Sequence, residues 1–283
     1  MEGRRSSEER NFASPRFLGD ATDERAAADR LAEGELIGYG FGNFYALLAR
    51  PEAEVVRAAN LRKGRPVGQV GSVVTSPLRI PLLFDWSRLP TGLTRHRVLE
   101  VMETLFRLGP FGFRGPAADA IPDHLTQDDG RARTTQVIAP GYDCPSNGFV
   151  GTCLRRIGGD ILFITSANRS HHVSGRGDEP AHYRGDDLAA EFGGDAALML
   201  LRHRDEDAAR RRCPAHAPMS TSLLAFHRTG GHDETGRIRL VLERHGSLPV
   251  EHVRRHLHPL GFDVVLGPNA RTRLAQRSYD PRL

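Results

Sequence analysis

The run Ile161-Leu162-Phe163-Ile164-Thr165 constrains this chain more than any other stretch. Bounded by Gly158-Gly159 before it and Ser166 after it, the run leaves no polar face for water. A strand of this kind is buried on both sides, as in sheets with helices packed on their faces. Its neighbours agree: Gly148 to Ile157 reads as a helix stopped by the glycine pair, and Thr134 to Ala139 as a strand. Strand and helix alternate, so the expected fold class is α/β, with a mixed or parallel sheet.

The pattern extends in both directions. Asp23-Glu24-Arg25 opens an alanine-rich helix that stops at Gly34, and Leu36 to Tyr39 reads as a strand leading into an irregular Gly40-Phe41-Gly42-Asn43 segment. Pro51 suits the first turn of a helix that puts Val55, Val56 and Ala59 on one face and closes at Gly64. Val70 to Thr75, Ala196 to Leu201, Thr221 to Phe226 and Ile238 to Leu242 are strand-like, and a further helix covers Val250 to His256. Between residues 76 and 133 only an amphipathic helix over Val98 to Leu108 is legible; the glycine- and proline-rich stretch Gly109 to Pro116 has no period. Residues 1–22 are polar and aperiodic and read as a disordered N-terminal arm, ahead of one domain over 23–262 and a C-terminal extension over 263–283.

Composition narrows the class. With 39% hydrophobic and 26% charged residues the chain is an ordinary globular protein, and no apolar run approaches the roughly 20 residues that span a bilayer. The N-terminus has no apolar segment of a secretory signal, so a cytoplasmic protein without membrane partners is expected. Three cysteines at irregular spacing argue against a disulfide framework. Cys213 and His216 have the spacing of half a zinc site with no second pair to complete it, and no metal ligand is assigned. The formal net charge of +4 favours anionic partners through long-range attraction, without defining a nucleic-acid binder.

Of 39 basic side chains only Lys63 is a lysine, and it stands in Lys63-Gly64-Arg65-Pro66 at the corner where a helix ends. An ammonium is a compact point charge and a guanidinium a planar fork, so the two are not interchangeable at a tight anion site. A second motif, Ser166-Ala167-Asn168-Arg169-Ser170, follows the buried strand directly. It places small hydrogen-bonding side chains at the carboxyl end of a sheet strand, where open α/β sheets bind ligands. No Walker A run is present, so a P-loop does not explain these features.

In this order the two motifs resemble those of the YrdC-like family of threonylcarbamoyl-adenylate synthases, which carry K-x-R-P and later S-A-N-x-S. Tyr39 to Leu47 falls where that family has Y-P-T-D-T-V-Y-G-L, Ser220-Thr221 is similar to its late S-T pair, and Arg244-His245-Gly246 to its R-x-G. The resemblance implies a YrdC-like twisted mixed sheet flanked by helices, with a concave basic cavity. It also implies a nucleotidyltransferase that turns ATP with Mg2+, bicarbonate and an amino acid into a threonylcarbamoyl-adenylate-type intermediate for tRNA adenosine modification. RNA and tRNA-modification proteins are the implied macromolecular partners. Carried over residue by residue, Lys63 and Arg65 are the catalytic charges, and Lys63, Arg65, Gln69, Ser166, Asn168 and Arg244 hold the nucleotide. Asn43, Tyr45, Thr134, Ser166 and Ser220 then hold the amino acid. No general base is implied, since such chemistry depends on positioning and charge stabilisation.

The departures cluster. Phe41, Gly42 and Asn43 stand where the family has threonine and acidic residues, and Gln69 carries no charge. Thr134 to Pro140 aligns with a T-V-x-V-R-x-P strand, with Ile138 in place of the arginine. Losing a charge-assisted carboxylate contact costs about 2 kcal/mol, so threonine binding is expected to be weak unless another arginine, such as Arg133, substitutes. The nucleotide half reads as kept and the amino-acid half as rebuilt. A reading from another class is a non-catalytic RNA- or nucleotide-binding module, with Arg210-Arg211-Arg212 and Arg254-Arg255 as phosphate contacts.

Overall fold

The computed structural model describes residues 15–170, 172, 179–192 and 198–279. Its strands are β1 (Arg16–Phe17), β2 (Ile37–Phe41), β3 (Phe44–Ala49), β4 (Ser72–Val74), β5 (Phe111–Pro116), β6 (Gln127–Asp128), β7 (Arg133–Ala139), β8 (Leu162–Ser166), β9 (Met199–Arg202), β10 (Leu223–His232), β11 (Ile238–Arg244) and β12 (Phe262–Leu266). They form one mixed sheet of 12 strands in the order β1-β9-β2-β3-β8-β4-β7-β5-β10-β11-β12, with β6 added alongside β7. The apolar run becomes β8, antiparallel to both of its neighbours, with Ala46 of β3 opposite Ser166 and Val73 of β4 opposite Phe163.

The pleat sorts side chains to two faces. On one, Tyr45, Leu47, Phe113, Val137 and Phe163 pack under α2 (Ala53–Arg62), α3 (Arg95–Leu108), α5 (Gly185–Phe192) and α7 (Val250–Leu257). On the other, Tyr39, Phe44, Ala46, Leu48, Ile138 and Ile164 share a core with α1 (Ala21–Ala32) and α4 (Ser146–Ile157). α1 and α4 lie against β2 at one end of the sheet, α1 reaching β9, and the remaining part of that face is open. The sixth helix in chain order, α6 (Glu206–Arg211), follows β9. Local chemistry sets the ends: Asp20 caps α1 by accepting from the amides of Thr22 and Asp23, and Gly158 closes α4 at φ 63°.

Several boundaries differ from the sequence expectation. Residues 1–14 of the expected arm lie outside the described residues, but Arg16 pairs with Leu201 and the Asp20 cap starts α1 at Ala21, so ordered structure precedes residue 23. The extension expected from 263 begins inside the sheet, where β12 pairs in parallel with β11. The following segment folds back, with Arg273 donating to the carbonyls of Gly246 and Ser247 and Arg277 to that of Pro180; residues 280–283 lie outside the described residues. The segment expected to be irregular, Gly40 to Asn43, is the tip of the β2–β3 hairpin, with Gly42 at φ 63°.

The largest revision is at Gly109 to Pro116, which holds β5 in the interior of the sheet, between β7 and β10. Its glycines hide the strand pattern because they supply space instead of side chains. A Cβ on Gly112 would stand 2.6 Å from Ile138 Cδ1.

Lys63 does not sit at an exposed corner. It is fully buried, its Nζ donates to the Ser166 carbonyl and, at 3.3 Å, to Asn168 Oδ1, and its own carbonyl accepts from the Ser170 amide at 2.6 Å. A buried ammonium is tolerated only with such acceptors around it, so this residue ties the end of α2 to the loop after β8. Gly246 has a comparable role at the other side, because a Cβ there would collide with the backbone carbonyls of Ser220 and Thr221.

Two outcomes follow. Lys63→Met keeps the aliphatic stem and removes the charged donor shared by the Ser166 carbonyl and Asn168 Oδ1, leaving them the Asn168 amide and Ser166 Oγ, a loss of about 1–3 kcal/mol, or roughly 2–4 °C in Tm for each kcal/mol in a domain of this size. An unchanged melting curve would place the ammonium outside the fold's support. Gly246→Ala is expected to cost about 1–3 kcal/mol through overpacking, measured as a lower urea midpoint; a wild-type midpoint would show that the turn opens freely.

Candidate functional site

The open part of the second face is a cavity of about 490 Å³, within the range of small-molecule sites. Its floor is apolar, formed by Phe41, Phe44, Ala46, Ile138 and Ile164. Three guanidinium groups, Arg65, Arg114 and Arg244, stand around it among neutral hydrogen-bonding side chains.

Each arginine is delivered by a different element. Arg65 follows α2 by three residues and donates to Thr165 Oγ1 at 2.7 Å. Arg114 comes from β5, where register places it opposite Gln136; it donates to Gln136 Oε1 at 3.1 Å and lies 3.4 Å from Glu243 Oε2. Gln136 in turn donates to Ser72 Oγ at 2.6 Å. Arg244 ends β11 and donates to the carbonyl and Oγ1 of Thr221 at 2.7 and 2.8 Å. Burial, followed by repulsion from Arg114 and Arg65, pushes the Arg244 pKa down to about 10. It remains charged at neutral pH, and a site that disfavours its own cations favours an anion between them.

Of the residues expected at the site, Arg65, Gln69, Ser166, Ser220 and Arg244 line this cavity. Lys63 and Asn168 lie behind it: Asn168 is buried, its Oδ1 accepts from Lys63 and from Ser166 Oγ, and its Nδ2 donates to the Arg169 carbonyl at 2.9 Å. Three expected amino-acid contacts are elsewhere. Asn43 donates to the His216 carbonyl at 2.9 Å and pins the hairpin tip. Tyr45 points to the opposite face from Ala46 because side chains alternate along β3, and its hydroxyl donates to Glu206 Oε1 at 2.7 Å. Burial raises the Tyr45 pKa above the ordinary phenol value. Thr134 is buried under β6, donating to the Gln127 carbonyl at 2.8 Å.

Phe41 and Ile138 both face the cavity, as the departures in sequence suggested. Arg133 does not replace the missing arginine: it pairs with Asp123 at 2.9 Å and donates to the Ala118 carbonyl. Arg114 stands in that part of the site instead, one strand over. Sequence reading missed Arg114 and Gln136, and the available signal was only that Arg114 interrupts an otherwise neutral Gly-Pro stretch.

The arginine clusters considered for RNA are largely held by the protein itself. Arg210 bonds to Asp207 and donates to the Tyr183 carbonyl, Arg211 pairs with Asp205 at 3.6 Å, and Arg254 donates to the Val264 carbonyl. Cys144, Cys153 and Cys213 are free thiols. No cluster of three His, Cys, Asp or Glu suited to a metal occurs among the described residues, and burial pushes the His216 pKa down to about 4. No helix among the described residues is long and apolar enough to cross a membrane.

No protein-family model matches the sequence, and no curated protein matches it. Solved structures do. P. abyssi Sua5 complexed with L-threonine superposes with a TM-score of 0.61 at 17% identity, over 89% of this chain and 61% of that one. The chain therefore spans less than two thirds of that protein's length. A hypothetical protein from Streptococcus mutans gives a TM-score of 0.60 at 10% identity, over 86% of this chain and 94% of that one. Full-length HypF in its phosphate- and nucleotide-bound form gives 0.50 at 17% identity, over 78% of this chain and 28% of that one. The twisted mixed sheet with flanking helices is the fold of these proteins, and the chain has a divergent YrdC/Sua5-like fold.

Proposed function

We propose that the cavity binds ATP and adenylates a carbamate formed from bicarbonate and an amino acid, a threonylcarbamoyl-adenylate-synthase-like reaction. In the step itself a carbamate oxygen bonds to the α-phosphorus, the bond from that phosphorus to the bridging β-phosphate oxygen breaks, and pyrophosphate leaves with the electron pair. The observation that carries the reading is the convergence of Arg65, Arg114 and Arg244 on one cavity of about 490 Å³. Guanidinium forks match phosphate oxygens bidentately and offset the charge that builds on the leaving pyrophosphate. Mg2+ enters on the nucleotide's own phosphate oxygens. Ser166, Ser220 and Gln69 offer hydrogen bonds to the sugar, base or acyl group. L-Threonine in the Sua5 structure and nucleotide in the HypF structure support the same assignment by analogy of fold.

Threonine is not the expected preferred amino acid here. Ile138 and Phe41 give the floor bulk and no polar group where a hydroxylated side chain needs one. The product is proposed to serve tRNA adenosine modification. Burial of Lys63 behind the loop favours one competing reading, a nucleotide-binding module without turnover, because it withdraws an ammonium from the phosphates.

Titration calorimetry with a non-hydrolysable ATP analogue and Mg2+ tests the nucleotide assignment. Arg65→Ala and Arg244→Ala are each expected to weaken binding by about 10- to 150-fold, the loss of one charge-assisted contact of roughly 1.5–3 kcal/mol. No heat at millimolar analogue would sink the assignment. Pyrophosphate release with ATP, bicarbonate and an amino-acid panel separates the two readings, and binding without release selects the module.

A further inference from the structure

Glu243 and Arg228 line a second cavity of about 340 Å³ that adjoins the first and shares Arg114, Gln136 and Arg244 with it. Glu243 Oε1 takes Arg228 Nη2 at 2.6 Å and lies 3.4 Å from His227 Nε2, and its Oε2 lies 3.4 Å from Arg114. Neighbouring residues of a regular strand face opposite sides of the sheet. His227 and Arg228 both reach one oxygen because β10 is bulged between them and β11: Ala225 stands opposite Val241, but Thr229 stands opposite Leu240.

The His227 side chain is only 2% exposed, and polar groups face both of its nitrogens. Nδ1 lies 3.4 Å from the Arg114 carbonyl, which can only accept. Nε2 lies 3.3 Å from Asp129 Oδ2 and 3.4 Å from Glu243 Oε1, and ionised carboxylates also only accept. A neutral imidazole carries one N–H, so either tautomer turns a bare lone pair towards an acceptor. The imidazolium alone donates on both sides. Burial is the main force against that charge, with Arg228 beside it on β10 adding to it; Glu243 of β11, the Arg114 carbonyl of β5 and Asp129 between β6 and β7 favour it.

Arg114 and His227 thus share Glu243. An anion at Arg114 offsets the guanidinium charge, leaves the carboxylate's field to the imidazole and adds negative charge nearby, and each change favours a proton on Nε2. Asp129, 20% exposed, gives the ring a route to solvent protons. We propose that His227 is a positioning residue of the nucleotide cavity, one that takes up a proton on Nε2 when an anion binds at Arg114. The imidazolium then holds Glu243, Asp129 and the Arg114 carbonyl together and fixes the strand that carries the guanidinium. Linkage is reciprocal, so protonation strengthens anion binding: affinity is greatest on the acid side and falls as the pH rises through the titration of His227. This regulates the site of the adenylation reading and rests on that reading only for an anion in the cavity.

The test is calorimetric titration of the full chain with the non-hydrolysable ATP analogue and Mg2+, comparing wild type with His227→Gln from about pH 8 to about pH 5.5, on either side of the ordinary imidazole value. Titration of the analogue itself is common to both proteins and cancels in the ratio of their affinities. That ratio is expected to move about tenfold in favour of the wild type as the pH falls. Buffers of different ionisation enthalpy should show more protons taken up by the wild type. A histidine that only fills space changes affinity by the same factor at every pH, so a flat ratio or equal proton uptake overturns the proposal. If His227→Gln does not fold, Asp129→Asn decides. Its remaining oxygen still accepts from the Arg131 and Ala132 amides, at 2.9 and 2.8 Å in the wild type, while one of the two charges that favour the imidazolium is gone. A smaller gain in affinity on acidification supports the proposal, and an unchanged profile overturns it. Inorganic pyrophosphate titrated into the same samples separates the two readings. Proton-linked pyrophosphate binding without analogue binding removes the nucleotide and keeps the linkage; analogue binding without proton linkage removes the linkage alone; no binding of either anion overturns both.

Discussion

The buried ammonium of Lys63 in the grip of the Ser166 carbonyl and Asn168 Oδ1 is the contact on which the rest of the site depends. It joins the end of α2 to the loop after β8, and Arg65 follows only two residues later with its guanidinium on Thr165. A lysine suits this place because its charge is compact and its stem apolar, whereas a planar fork needs a wider ring of acceptors. In a chain that otherwise uses arginine throughout, the exception stands at a fully buried position where a compact charge meets two oxygens.

The second constraint is an incompletely covered sheet. α2, α3, α5 and α7 close one face, while α1 and α4 cover only part of the other. The remainder would be a wet apolar floor were it not ringed by Arg65, Arg114 and Arg244. Bringing three like charges together costs free energy that the fold offsets elsewhere, and repulsion from Arg114 and Arg65 adds to burial, the larger cause, in holding the Arg244 pKa down. An entering polyanion removes the repulsion, so the protein's own unfavourable electrostatics become binding energy.

Glu243 links this ring to the neighbouring cavity. Its carboxylate faces Arg114 on one side and Arg228 on the other, so it helps position one wall of the first cavity. His227 stands between Glu243 and Asp129, at 3.4 and 3.3 Å, and burial is the main cause holding its pKa below the ordinary imidazole value. A charged network of this kind is stable only because every member faces a partner across a short distance.

Local pattern was enough for the parts of the fold where one segment decides its own fate. An apolar run such as Ile161 to Thr165 has nowhere to go but a covered strand, and the α4 helix before it ends where Gly158 adopts φ 63°. The Lys63-to-Pro66 and Ser166-to-Ser170 motifs likewise lie near one another in the fold, and five of the expected side chains meet in one cavity. Which side of a strand a residue faces, and whether a polar group is used by the protein itself, are set by partners far away in sequence. Tyr45 was lost to Glu206, Asn43 to His216 and Lys63 to Ser166, each across more than a hundred residues. Arg114 was gained because β5 pairs with β7 in a register that no property of Gly109 to Pro116 reveals. Sequence alone determined the fold class and pointed to one cavity as the candidate site. Tertiary packing decided its members, because burial and hydrogen-bond satisfaction are properties of the assembled chain.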